Sequence, residues 1–126
     1  MSWQAYVDTN LLGSGHVRKA AILGRQGGVW ATSSGFTLSS DEQKAVIHAF
    51  ENQDQVQASG IRLAGEKYFT LSVNERSIYG KKGANGCVIV RTKQAILVTV
   101  YEAPTQASEA TVVVEGLADY LIGVGY

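Results

Sequence analysis

Side chains that react or bind metals are scarce in this chain of 126 residues. Cys87 is its one cysteine, so no disulfide can form within the chain, and a reducing compartment, the cytoplasm, is the expected location. The histidines, His16 and His48, have no cysteine or carboxylate at metal-ligand spacing. Cys87 follows a glycine at the start of a predicted strand, a setting typical of a small buried hydrophobe. We therefore expect no catalytic site, no metal and no other cofactor.

An excess of charge and long apolar runs are also missing. The formal net charge is zero, which argues against a surface built for nucleic acid. No apolar run approaches the roughly 18 residues that a membrane span needs, and no basic stretch followed by an apolar run begins the chain. Hydrophobic residues make up 45% of the composition, enough for one continuous core. We expect one domain over residues 1–126, folding alone as a monomer.

The charges that are present are segregated along the chain. Between Gly60 and Val100 there are seven basic and two acidic residues, a net charge of +5, whereas residues 101–126 carry four acidic residues and no basic one. The basic part coincides with predicted strands. It is either a solvated sheet edge, where lysine discourages pairing with other strands, or a binding surface. The pattern alone leaves both interpretations open.

Helical periodicity is clearest at the two ends of the chain. Residues 3–11 predict a short amphipathic helix with Ser2 as its N-cap, and residues 107–124 predict a longer one. A capping box of Ser39 and Glu42 predicts a helix over residues 40–51. The apolar stripe of the first helix consists of Trp3, Tyr6, Val7 and Leu11. That of the second consists of Val113, Leu117, Tyr120, Leu121 and Val124, and Val112 and Val114 widen it.

Strand signals fill the rest of the chain, except for a polar stretch over residues 51–60. Residues 17–23 and 29–33 predict a hairpin, and further strands are predicted near residues 61–64, 67–73, 76–82, 87–92 and 95–101. In 67–73, Phe69, Leu71 and Val73 alternate with Tyr68, Thr70 and Ser72, so that one face meets the core. Asn85-Gly86 predicts a tight turn, and the unbroken apolar run from Ala95 predicts a central strand covered on both faces. The result is an α+β domain: one antiparallel sheet with helices on its faces.

Five aromatic residues stand out: Trp3, Tyr6, Trp30, Tyr120 and Tyr126. If both terminal helices lie on one face of the sheet, these rings could form a groove of the kind that binds proline-rich ligands in the polyproline II conformation. They could equally be core anchors that hold two short helices in place. The residue pattern does not decide between these alternatives.

Several segments together resemble the profilins, and fungal profilins in particular. They are MSWQAYVD at the start, WATSSGF, GEKYFTLSVNERSIYGKKG, VRTKQAILVTVY and the ending EATVVVEGLADYLIGVGY, which span essentially the whole chain in the expected order. The resemblance implies a central antiparallel sheet of six to seven strands, with the N- and C-terminal helices on one face and shorter helices on the other.

The resemblance also implies a function, that of a cytoplasmic, cytoskeleton-associated protein that binds actin monomers and regulates actin polymerisation and nucleotide exchange. It further implies binding of proline-rich segments, as in formins, and of phosphoinositides. The implied polyproline-binding residues are Trp3, Tyr6, Trp30, Tyr120, Leu121 and Tyr126. The implied actin-binding residues are Lys67, Arg76, Lys81, Lys82, Arg91, Thr111, Val112 and Glu115. The implied phosphoinositide-binding residues are Arg76, Lys81 and Lys82.

Two positions depart from relatives: Ser72 replaces an arginine found in many of them, and Val112 replaces a lysine of budding-yeast-like sequences. Both changes remove positive charge from the surface that would meet actin, which is acidic. The alternative to this interpretation is a small α+β adaptor domain that works by forming homodimers and does not bind actin.

Overall fold

A computed structural model describes residues 2–126 and contains one seven-stranded sheet. The strands are β1 (Lys19–Gly24), β2 (Val29–Thr32), β3 (Ile61–Leu63), β4 (Glu66–Val73), β5 (Ser77–Lys82), β6 (Asn85–Arg91) and β7 (Ala95–Tyr101). Their order across the sheet is β2-β1-β7-β6-β5-β4-β3, and every neighbouring pair is antiparallel. The predicted antiparallel sheet is confirmed.

The helices lie on both faces of the sheet. An N-terminal helical segment consists of α1 (Trp3–Ala5), a wider π-helical turn (Tyr6–Leu11) and a 3-10 turn (Leu12–Ser14). The other helices are α2 (Ser40–Ala49), α3 (Gln53–Ser59) and α4 (Ala107–Gly123). In the part of the chain that the structure describes, no helix is both long and apolar enough to cross a membrane.

Two apolar clusters form the core, one on each side of the sheet. On the α4 face, Val7 and Leu11 of the N-terminal segment and Val114 and Leu121 of α4 pack against the sheet. On the α2 face, α2 and α3 contribute Val46, Ala49 and Val56. Every residue of β7 is buried, because this strand is covered on both faces. The predicted arrangement of terminal and shorter helices is confirmed.

Capping contacts set the start of two helices. The Ser2 hydroxyl accepts a hydrogen bond from the Ala5 amide at 3.1 Å, and Ser39 and Glu42 form the predicted capping box. The Glu42 carboxylate also accepts the amides of Ala64 and Gly65, which follow β3. One side chain therefore caps α2 and ties it to the edge of the sheet.

Three local features differ from the sequence predictions. The polar stretch contains helix α3, which has a single buried side chain, Val56, and therefore no apolar periodicity. The turn between β5 and β6 consists of residues 83–84 and not of Asn85-Gly86, since Lys82 pairs with Asn85. The stripe of α4 that meets the core differs too, because Val112, Tyr120 and Val124 are exposed, and Ala110 and Ala118, which were not predicted, are buried.

Strand β4 presents its apolar residues to solvent. Tyr68 faces the core, whereas Phe69 and Leu71 are 66% and 56% exposed. A register shift between Thr70 and Ser72 then breaks the alternation, so that Val73 packs against the core on the α2 face. The predicted common face of Phe69, Leu71 and Val73 is therefore wrong. Helix α4 lies over β6 and β7. The outer strands β4 and β5 are therefore largely uncovered on the α4 face.

Candidate functional site

The five aromatic residues singled out in the sequence form one continuous row, which we call the aromatic groove (Trp3, Tyr6, Trp30, Tyr120 and Tyr126). The Trp3 ring lies at its centre, with centroid distances of 4.7 Å to Trp30, 5.5 Å to Tyr6 and 5.1 Å to Tyr126. Tyr6 continues the row to Tyr120 at 6.3 Å. Tilted and edge-on packing of this kind is favourable between rings. The N-terminal segment, β2 and α4 thus bring together residues that lie far apart in the sequence.

Specific contacts position the two tryptophans. The Gln4 side chain donates a hydrogen bond to the Thr32 carbonyl at 2.9 Å, which joins α1 to β2 and holds Trp3 beside Trp30. The indole of Trp30 lies directly over Gly24 on the neighbouring strand, where a Cβ atom would stand 2.8 Å from the indole nitrogen. Glycine at position 24 therefore provides the space for the ring.

The last residue is fixed by the turn between β6 and β7. The Tyr126 backbone amide donates a hydrogen bond to the Leu121 carbonyl at 2.7 Å. The Tyr126 backbone oxygen accepts hydrogen bonds from the Gln94 backbone amide at 2.6 Å and from the Thr92 hydroxyl at 2.7 Å. Gly125 adopts a φ of +98°, which lets the chain turn back towards the sheet. The Tyr126 ring is therefore held in the groove and does not fray as a chain end usually would.

The side chains of the groove can donate hydrogen bonds and carry no formal charge. Desolvation, with contributions from Tyr120 and Tyr126, raises the pKa of Tyr6 above its ordinary value. Its hydroxyl therefore stays protonated at neutral pH and can donate to a ligand carbonyl. A polyproline II helix presents flat rings and free carbonyls, which this combination of stacked rings and N–H and O–H donors suits. Leu121 differs from the other predicted groove residues, because its side chain is fully buried and supports the groove from beneath.

A second surface lies on the α4 face of the outer strands, and we call it the open sheet surface (Lys67, Phe69, Leu71 and Lys81). Phe69 stands opposite Lys81 across the β4–β5 pair, and the Lys67 ammonium lies 5.6 Å from the centre of the Phe69 ring. The surface thus has an apolar centre with basic residues beside it. Sequence reasoning identified the two lysines and missed the two apolar residues.

A partly buried polar network joins α4 to the end of this surface. The Glu115 carboxylate accepts hydrogen bonds from Arg76 Nε at 3.0 Å, from the Ser77 hydroxyl at 2.7 Å and from the Tyr79 hydroxyl. Burial, followed by the hydrogen bond to Glu115, raises the pKa of Tyr79, and a hydrogen bond to Asp119 raises the pKa of Arg76. The network fixes α4 against β5, and both Arg76 and Glu115 are used within the fold.

The comparisons with known proteins agree with this architecture. The Profilin family model matches residues 1–126. The chain belongs to the profilin family. It is 53% identical to profilin-1A of Acanthamoeba castellanii and 49% identical to the profilin of Saccharomyces cerevisiae, with 100% of each chain covered in both cases. The solved structure of Acanthamoeba castellanii profilin IB superimposes with a TM-score of 0.96 at 53% identity, over 99% of this chain and 100% of the other.

A more distant profilin structure contains a ligand. Mouse profilin IIa, solved in complex with a double repeat from the FH1 domain of mDia1, shares the fold with a TM-score of 0.83 at 19% identity and full coverage of both chains. Family membership confirms the predicted function class, an actin-binding regulator, and does not favour the alternative of a homodimerising adaptor domain.

The basic residues that the resemblance assigns to actin binding do not all lie on one face of the sheet. Lys82 alternates with Lys81, lies on the α2 face and pairs with Glu66. Arg91 also lies on the α2 face, where its guanidinium stacks on the Phe50 ring at 4.8 Å and pairs with Glu51 at 2.7 Å. Arg76 stands at the opposite end of β5, about 20 Å from Lys82 at the rise of an extended strand. The three residues that the resemblance assigns to phosphoinositide binding, Arg76, Lys81 and Lys82, therefore do not lie together in one cluster.

Gly24 offers a test of the groove that leaves its rings unchanged. Gly24→Ala would push the added methyl group against the Trp30 indole and the Gly27 carbonyl, so Trp30 must move out of the row. We expect the affinity for a polyproline peptide to fall about tenfold, because one ring is misplaced and not removed. Isothermal titration calorimetry measures the loss. Gly13→Ala, where the methyl group comes no closer than 3.4 Å to another atom, is the matched control, and equal affinities for both variants would contradict this role of Gly24.

Proposed function

We propose that this profilin holds an actin monomer on its open sheet surface and a proline-rich segment in its aromatic groove at the same time. The observation that carries the proposal is the separation of the two surfaces. Trp30 lies on the edge strand β2 and Phe69 on β4, five strand spacings away, or about 24 Å. A proline-rich segment confined to the aromatic groove therefore does not cover the open sheet surface.

The groove is proposed as the polyproline site because its chemistry matches an extended helix without internal hydrogen bonds. Proline rings would stack on the aromatic faces, and the Trp30 indole and the tyrosine hydroxyls would donate to backbone carbonyls. The FH1 complex of mouse profilin IIa supports this assignment by analogy. The proposed ligand contacts are Trp3, Tyr6, Trp30, Tyr120 and Tyr126, without the buried Leu121.

The actin contact is proposed for the open sheet surface together with the adjoining part of α4. Phe69 and Leu71 provide exposed apolar area at its centre, and Val112 on α4, 73% exposed, adds to it. Lys67, Lys81 and Thr111 form the polar rim. Exposed lysines raise the rate of encounter with an acidic partner more than they deepen affinity. Of the remaining predicted residues, Arg76 and Glu115 act by holding α4 in place.

The proposed mechanism is binding and not bond chemistry. Faster nucleotide exchange on bound actin requires that this profilin bind an opened actin conformation more tightly than a closed one. A proline-rich tract that holds the profilin–actin complex raises the local actin concentration near a filament end. The proposed location is the cytoplasm, with the actin cytoskeleton, because both steps act on actin. Phosphoinositide head groups would meet the exposed Lys67 and Lys81, since Arg76 and Lys82 are paired with carboxylates.

Simultaneous binding is tested by capture of actin on polyproline resin. Resin alone should retain no actin monomer, and resin loaded with this protein should retain close to one actin per bound molecule. Release of the protein by free polyproline peptide should release the actin with it. If actin instead displaces the protein from the resin, the two sites overlap and the proposal fails. A variant that binds resin but not actin, described in the Discussion, serves as the control for non-specific retention.

A further inference from the structure

A pocket opens on the α2 face of the sheet, away from the aromatic groove. It has a volume of about 210 Å³ and lies where the starts of β1, β4 and β6 meet the ends of β3, β5 and β7. We call it the end pocket, and the lining residues that decide its chemistry are Lys19, Phe36, Leu63, Tyr68, Asn85 and Val100. It shares no lining residue with the aromatic groove or the open sheet surface. Its chemistry is therefore separate from that of those two surfaces.

Tyr68 is the unusual residue of the end pocket. Only 4% of the residue is exposed, yet its hydroxyl makes no hydrogen bond to any residue among 2–126. In that part of the chain, every side-chain oxygen or nitrogen that is sealed from solvent has a partner, so the Tyr68 hydroxyl must reach the cavity. Burial, with smaller contributions from Cys87 and Glu102, raises the pKa of Tyr68 to about 12. The hydroxyl therefore stays protonated at neutral pH and can donate a hydrogen bond to a ligand.

Two further side chains bring donors to the same cavity. The side-chain oxygen of Asn85 accepts a hydrogen bond from the Ala103 amide at 3.1 Å, which fixes the orientation of the side chain and leaves its NH₂ group as a donor. Lys19 is half-buried at the start of β1, and its ammonium forms no ion pair with a carboxylate of the described chain. A hydroxyl, an amide and an ammonium therefore line one small cavity, and all three can donate to an anionic oxygen.

The charges around the end pocket favour a ligand with a single negative charge. Glu66 pairs with Lys82, and Glu102 pairs with Arg18 at 3.6 Å, so each of these two carboxylates already has a cation beside it. The ammonium of Lys19 is then the remaining charge, and one carboxylate on a ligand would neutralise it. A dianionic phosphate ester would bring a second negative charge close to Glu66 and Glu102, which repel it.

The size and walls of the end pocket indicate the rest of the ligand. An apolar cavity of about 150 Å³ accommodates benzene, so a volume of about 210 Å³ has room for a body of that size and a carboxylate. Phe36 and Leu63 provide apolar walls. We propose that the end pocket binds a small monocarboxylic acid with a compact apolar body, whose carboxylate accepts hydrogen bonds from Lys19, Tyr68 and Asn85. This site does not depend on the proposed actin and polyproline functions.

The test is a titration of isotope-labelled protein with cyclohexanecarboxylate, followed by the amide resonances in NMR spectra. Resonances of residues around the end pocket should shift and saturate, with half-saturation at about 1 mM for a ligand this small. Cyclohexylmethanol, which has the same ring and a neutral hydroxyl, should bind about tenfold more weakly or not at all. Saturation of the aromatic groove with hexaproline should leave the titration unchanged. Tighter binding of cyclohexyl phosphate than of the carboxylate would contradict the assignment to a monocarboxylic acid.

Two variants and their matched controls assign the binding to the end pocket. Tyr68→Phe removes only the hydroxyl and should weaken binding of cyclohexanecarboxylate about five- to tenfold, whereas Tyr101→Phe, at a buried tyrosine on the α4 face, should leave it unchanged. Lys19→Gln should weaken binding about tenfold, and Lys93→Gln, at an exposed lysine between β6 and β7, should not. Shifts that do not saturate, or equal affinities for Tyr68→Phe and Tyr101→Phe, would overturn the inference.

Discussion

Replacement of Trp3 by alanine is expected to abolish retention on polyproline resin while actin binding persists. Trp3 contacts Tyr6, Trp30 and Tyr126, so its loss removes the central ring of the groove and frees the rings on both sides. Central aromatic residues of binding sites contribute at least about 2 kcal/mol, or roughly a 30-fold loss of affinity. Isothermal titration calorimetry with a polyproline peptide measures the loss of polyproline affinity. Co-sedimentation or fluorescence titration with actin monomer measures the remaining affinity for actin.

Trp3→Phe is the matched control for this experiment. Phenylalanine keeps an aromatic face in the same place but lacks the indole N–H, so we expect a loss several-fold smaller than that of Trp3→Ala. Both variants should unfold cooperatively, because Trp3 is only partly buried and the core beneath it consists of Val7, Leu11 and Leu121. A variant that loses actin binding or folding together with polyproline binding would show that Trp3 is a core anchor.

The sequence predicted the aromatic groove more completely than the rest of the site. Trp3 and Tyr6 share one face of a helix whose remaining members, Val7 and Leu11, are obviously core residues, so the periodic pattern placed the rings at the border of the core. Whether they served as anchors or as a ligand site depended on tertiary contacts. The hydrogen bonds that fix Tyr126 to Thr92 and Gln94, and the space that Gly24 leaves for Trp30, join distant segments and leave no local pattern.

The open sheet surface could not be predicted in the same way. Alternation places Phe69 on one side of a strand and Tyr68 on the other, but it does not state which side α4 covers. The side of the strand with Phe69 carries more apolar residues than the side with Tyr68, which wrongly predicts that the Phe69 side is buried. The helix lies over β6 and β7, so the outer strands expose Phe69 and Leu71, and the polar network of Glu115 fixes the helix there. An exposed apolar pair on a strand is informative only once the covering helix is known.

The basic residues illustrate a second limit of sequence reasoning. Neighbours such as Lys81 and Lys82 count as one cluster in a sequence and lie on opposite faces of a strand. Carboxylates from other elements then neutralise part of the charge: Glu66 pairs with Lys82, Glu51 with Arg91, and Glu115 and Asp119 with Arg76. The net charge of +5 over residues 60–100 therefore overstates the positive charge of the surface proposed to meet actin.

Leu71→Asp is expected to weaken actin binding about 100-fold or more and to leave polyproline binding unchanged. The substitution removes an exposed apolar side chain from the centre of the open sheet surface and places a carboxylate where the partner would exclude water. Burial of an uncompensated charge in an interface adds several kcal/mol to the loss of apolar contact. Leu71 is 56% exposed, so the fold itself should lose little stability. The dissociation constant for actin monomer and the retention on polyproline resin are measured on the same preparation.

Two further variants make this experiment decisive. Val29→Asp introduces the same charge at a partly exposed valine on the opposite edge of the sheet and should bind actin like the parent protein. Ser72→Arg adds a positive charge beside Leu71, at an exposed position, and should strengthen binding and make it more sensitive to salt, because exposed charges are screened by ions. If Leu71→Asp and Val29→Asp weaken actin binding equally, the contact lies elsewhere, and the exposed apolar residues of β4 have another partner.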